Sequence, residues 1–110
     1  GDDGDQFVDS AAIEVNAEGA ITNNAVPGRL VFYTSPGSAG LTERMRISGS
    51  GEVGIGTNAP DGTLHTHTAT AGSITANANA NDLVVENSNH GGISILTPND
   101  KSGISTSILM

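Results

Sequence analysis

Apolar and polar residues alternate along this chain in short runs, and glycine, asparagine or proline cuts each run off within a few residues. A period of two is the pattern of a strand, whose successive side chains point to opposite faces. No helical periodicity persists for three turns. The fold class expected from this pattern is all-β, built of short strands separated by Gly and Asn turns.

Residues 11–17 (AAIEVNA) set Ile13 and Val15 on one side and Glu14 and Asn16 on the other. The Asn23-Asn24 and Pro27-Gly28 turns separate them from a second strand over 29–35. Residues 42–48 alternate sharply, with Glu43, Met45 and Ile47 expected on one face and Thr42, Arg44, Arg46 and Ser48 on the other. Arg44 and Arg46 thus share a face in this reading and would pair with acids of a neighbouring strand or chain. Gly49, Gly51, Gly54 and Gly56 punctuate a short strand at Val53–Ile55, and residues 62–68 form the next. Residues 82–87 and 91–97, joined by the turn-rich Asn87-Ser88-Asn89-His90, read as a hairpin. Gly92-Ile93-Ser94 is echoed by Gly103-Ile104-Ser105, as in stacked β-layers or a β-solenoid.

The organisation expected is an acidic flexible start (1–10), a strand-rich segment (11–68), a low-complexity connector (69–81, ATAGSITANANAN) and a hairpin opening a repeat-like β segment (82–110). That gives about eight strands of five to seven residues. Beginning at Gly1 and stopping inside the apolar Ile108-Leu109-Met110, the chain reads as a piece of a longer polypeptide.

Composition limits how such strands can be stabilised. Aromatics make up 3% of the chain and 15 residues are glycine, so the apolar volume available for a core is small. A compact monomer of this length buries about two thirds of its unfolded surface, and here much of that surface is Gly, Ala, Ser, Thr and Asn. Thin β-structure that shares its apolar faces with neighbouring copies meets the requirement. A net charge of −8 argues against nucleic acid and against anionic membrane surfaces. No apolar run is long enough to insert in a membrane. Cysteine is absent, which removes disulfides and thiol catalysis.

Residues 27–57 (PGRLVFYTSPGSAGLTERMRISGSGEVGIGT) carry a series of motifs in fixed order: GRLVF at 28–32, ERMRI at 43–47 and GEVGIGT at 51–57, followed by Pro60 and Leu64-His65. This series resembles a repeating element of phage tail-fibre proteins, especially those of marine phages and of fibres ending in an endosialidase-type chaperone. Residues 82–96 (DLVVENSNHGGISIL) resemble the segment that follows in the same fibres, so the resemblance runs from about Pro27 to about Lys101. It implies a structural part of a virion: an elongated, intertwined homotrimer of β-helix or β-prism type. Such a shaft is a stiff spacer supporting host-cell attachment and contacts other virion proteins.

Few residues suggest chemistry. His65-Thr66-His67 places two imidazoles on one side of a strand, about 7 Å apart. Facing the axis of a parallel trimer, His65 and His67 would present six imidazoles, enough for octahedral Fe(II), Ni(II) or Zn(II). Some phage fibres hold metal on such pairs, so the resemblance lends this reading support, while Leu64 fits the opposite orientation. The alternative turns Leu64, Thr66 and Thr68 inward and leaves both rings outside. Asp2, Asp3, Asp5 and Asp9 lack the spacing of a calcium loop. Asp61 and Asp82 are the carboxylates that glycan hydrolysis could use, but no aromatic platform lies near either, and no nucleophile elbow or phosphate loop occurs. The chain is therefore expected not to be an enzyme. A receptor- or glycan-binding module, with Tyr33 as its exposed ring, is the alternative function, and a capsid fibre or tail adaptor a third.

Overall fold

The structure is a computed structural model, and it describes residues 9–37 and 40–96. The all-β expectation holds. Six strands, β1 (Ala11–Ala17), β2 (Gly28–Thr34), β3 (Thr42–Ile47), β4 (Val53–Ile55), β5 (Leu64–His67) and β6 (Leu83–Glu86), form one sheet in sequence order. β1 to β4 make an antiparallel meander, whereas β4, β5 and β6 run parallel.

Parallel neighbours must return to the same end before pairing, a path that usually takes a dozen or more residues and a helix. Here irregular loops make the return, over residues 56–63 and 68–82. The loops stack as the strands do: Val53 donates to the Thr63 carbonyl (2.9 Å), and Thr63 donates to that of Asn81 (3.0 Å). Two glycines allow this close winding. Gly56 has φ +79°, and a Cβ there would collide with the His67 carbonyl; a Cβ on Gly62 would collide with that of Asn81.

Three expectations need correction. The hairpin of 82–87 with 91–97 does not form: Leu83–Glu86 pair in parallel with β5, and 91–96 carry no strand. The glycines at 91 and 92 weaken any strand there, while β5 offers β6 a ladder already half built. Six strands of three to seven residues, not eight, occur among the described residues, and the echo at 103–105 lies outside them. The third correction concerns β3. Phe32 pairs with Met45 but Tyr33 with Glu43, so Arg44 is an extra residue in a bulge. A bulge reverses alternation beyond it. Arg44 therefore reaches Thr34 (2.8 Å) on one face, while Arg46 and Glu43 pair on the other (Nη2 to Oε2, 2.7 Å). The two arginines do not share a face, and Arg46 finds its acid in its own strand.

The register sorts the sheet into two unlike faces. One carries Ile13 and Val15, Leu30 and Phe32, Met45 and Ile47, Val53 and Ile55, Leu64, and Leu83 and Val85. The other carries Glu14, Asn16, Arg29, Tyr33, Glu43, Arg46, His65, His67 and Glu86. No second layer covers the apolar face among the described residues; Val15 is 80% exposed and Ile13 68%. Among the described residues the side chains buried almost completely, Val31 and His65, lie on the polar face. The accessible surface is 8530 Å², against about 5600 Å² for a compact globule of this mass. The radius of gyration, 18.9 Å, likewise exceeds the roughly 13 Å of a compact domain of this length. This is an open sheet, neither barrel nor sandwich.

Candidate functional site

The densest polar cluster forms on β5, the middle strand of the parallel trio. His65 stands in register with Gly54 on β4 and Val84 on β6, and a Cβ on Gly54 would collide with the Thr57 carbonyl of the following loop. His67 stands beside Glu86 on the same face. The buried imidazole of His65 is held at both ends. Its Nδ1 accepts from the backbone N–H of Asp61 (3.1 Å), and its Nε2 lies 2.9 Å from Glu86 Oε2. A peptide N–H can only donate, so Nδ1 carries the lone pair and the neutral ring donates its Nε2 proton to Glu86. The other oxygen of Glu86 accepts from the N–H of Ala71 in the connector (2.7 Å). His67 donates from Nδ1 to the Gly56 carbonyl (3.2 Å), with Thr70 Oγ1 3.3 Å from Nε2. One carboxylate thus joins β6, β5 and the loop between them.

The Ala71 N–H holds the Glu86 pKa below its ordinary value, helped by the charge of His67 and by His65, while burial opposes them. The folded-state pKa lies below the unfolded one, so this clasp contributes fully above the unfolded value of about 4.3. Its contribution fades as pH falls through the lower folded value. The two serines at 48 and 50 depress Glu52 in the same direction. A Glu86→Gln chain should accordingly show a lower urea midpoint than the unaltered chain at pH 6 and nearly the same midpoint at pH 2. An equal gap at both values would mean that the carboxylate charge is not what holds the clasp.

Donor atoms of Asp61, His65 and Glu86 lie within 4.8 Å of one another, a spacing compatible with a cation. The donor chemistry within one chain does not fit one. The one lone pair of the neutral His65 ring, on Nδ1, is already taken by the Asp61 N–H, so a cation could bind there only by breaking that bond. Both nitrogens of His67 are likewise engaged within the chain. The six-imidazole arrangement of His65 and His67 belongs to three chains together, and it would require these bonds to be exchanged.

Asp61 and Asp82, the two carboxylates considered for hydrolysis, serve here through their backbones: Asp61 N–H binds His65, and the Asp82 carbonyl accepts from Leu64 (3.0 Å). An open cavity of about 210 Å³ lies beside the cluster, lined by Asp61, Ala71, Ile74, Val84 and Glu86 among others. Asp2, Asp3 and Asp5 lie outside the described residues, and Asp9 is exposed. Tyr33 is half-buried on the polar face between the strands of Glu14 and Glu43; burial, then those two carboxylates, raise its phenol pKa. Glu86 is the member that sequence reasoning missed. Its only sequence signal is a two-residue spacing from Val84, which matters once β6 is known to lie in parallel beside His65-Thr66-His67. No protein-family profile, curated protein or solved structure matches this chain.

Proposed function

We propose that this chain is a structural segment of a trimeric phage fibre, a stiff spacer of the virion that supports host-cell attachment. The observation that carries the reading is the uncovered apolar face, which spans all six strands of a single-layer sheet. A lone sheet with one greasy side is marginal in water, since it needs a second layer against that side. Three copies turning their apolar faces to a common axis provide that layer, and they leave the polar faces outside. The parallel run of β4 to β6 with stacked loops supports a shaft of β-helix or β-prism character, because such winding adds strand to strand without closing the single sheet on itself. The motif series at 28–32, 43–47 and 51–57 is what points to a phage fibre rather than to another trimeric shaft. Sedimentation equilibrium at micromolar concentration tests the reading: the expected mass is three times the 11.0 kDa of one chain. A folded monomer would overturn it.

A further inference from the structure

The two edges of the sheet are open; β6 is short and each edge strand carries one glutamate, Glu14 or Glu86, but neither edge is paired among the described residues. Glu18 N–H bonds the Pro27 carbonyl and Ser35 N–H bonds that of Ser10, which turns the even-numbered backbone groups of β1 toward β2. The N–H and C=O groups of Ala11, Ile13, Val15 and Ala17 therefore point outward. On β6 the carbonyls of Asp82 and Glu86 accept from Leu64 and Thr68, so the groups of Leu83 and Val85 point outward. No partner for either row occurs among the described residues. Natural edge strands are guarded by lysine, proline, a bulge or a covering segment. β1 and β6 contain no lysine or proline, and the one bulge among the described residues lies between β2 and β3. The same two strands carry much of the exposed apolar surface, with Ile13 and Val15 on one and Leu83 (48% exposed) and Val85 (40%) on the other.

We propose that β1 of one copy pairs with β6 of the next, antiparallel, so that three sheets join edge to edge into a closed prism. This rests on the trimeric reading and adds to it which strands meet and in which direction. Pairing of β1 with β1, or of β6 with β6, relates its partners by a twofold axis and cannot build a threefold ring. Only the head-to-tail contact of β1 with β6 closes on three copies. The direction follows from the topology. β2 and β4 run against β1, and β5 and β6 run with β4, so β6 is antiparallel to β1. Rotation about an axis along the strands preserves those directions. The rows of Ile13 with Val15 and of Leu83 with Val85 then continue one another on the same, inner face. The dimensions agree. Six strands about 4.8 Å apart make a face about 29 Å wide, whose middle stands about 8 Å from the axis of a three-sided prism. That middle belongs to β3 and β4, where Met45, Ile47, Val53 and Ile55 can reach inward.

Cysteine is absent from the chain, so disulfide trapping reads the contact without background. Ile13→Cys/Val85→Cys and Ile13→Cys/Leu83→Cys chains, shown by sedimentation to be trimeric when reduced, are oxidised mildly and run on a denaturing gel. The expected result is that the monomer band of at least one double variant gives way to covalent dimer and trimer, reversed by reductant, while each single variant stays monomeric. The Cα separations of paired strands fall in the range a disulfide spans. Disulfide dimers from Ile13→Cys alone, or trimers in which both double variants remain unlinked, would overturn the edge pairing while the trimer stands. Failure of the unaltered chain to form trimers at all would remove both.

Discussion

A Phe32→Asp chain is expected to sediment as an unassembled monomer without a cooperative thermal transition. Phe32 lies mid-strand in β2, flanked in register by Ile13 of β1 and Met45 of β3 on the apolar face. Burying a phenylalanine contributes about 1.5–3 kcal/mol, all of which the substitution removes. An unpaired carboxylate in its place costs several kcal/mol more per copy once water is excluded. Against a total stability of about 5–15 kcal/mol, a loss of that size in each of three chains removes the assembled state. Tyr33 is one residue further on and faces the other way, beside Glu14 and Glu43. Tyr33→Ala should therefore keep the trimer, with a change of about 1 kcal/mol. The reverse outcome, with Tyr33 essential and Phe32 replaceable by Asp, would mean that the polar face is the inner one.

The second large effect is expected at His65. Replacing it by Leu keeps the site filled but leaves the Asp61 N–H and one oxygen of Glu86 without partners beside a side chain that is almost fully buried. Unsatisfied groups of this kind cost about 1–3 kcal/mol each, so a loss of roughly 2–4 kcal/mol is expected. His65→Gln, which can still donate to Glu86, should recover part of it. Urea midpoints at pH 6 measure both, and a His65→Leu chain as stable as the original would reduce the imidazole to a space-filler. Because Glu86 also holds Ala71, the same substitution should increase amide exchange in the connector more than in the β1–β2 pair.

Much of this fold is legible in the residues themselves. Alternation at Ala11–Ala17 and Thr42–Ile47 marks strands because burying one face requires period two, and the glycines around Val53–Ile55 mark how short that strand must be. Two kinds of information are not local. A bulge changes which residues share a face, and nothing in TERMRI marks Arg44 as the extra one; only its register against Phe32 and Tyr33 does. Parallel pairing depends on where a returning loop sets the chain down, so Asn87-Ser88-Asn89-His90 reads as a hairpin turn although β6 pairs backward with β5. The candidate site shows the same division. That His65 and His67 share a face opposite Leu64 follows from spacing, but the burial of His65 depends on Glu86, which is adjacent only through that pairing.

The stacked loops between β4, β5 and β6 carry a consequence for how such a shaft changes over time. Each return of the chain advances it by one strand spacing, about 4.8 Å, and leaves the growing margin chemically as it was. In the proposed prism, whose strands lie along the axis, an added winding would therefore thicken the shaft and widen its interior, while its length follows from the number of residues in each strand.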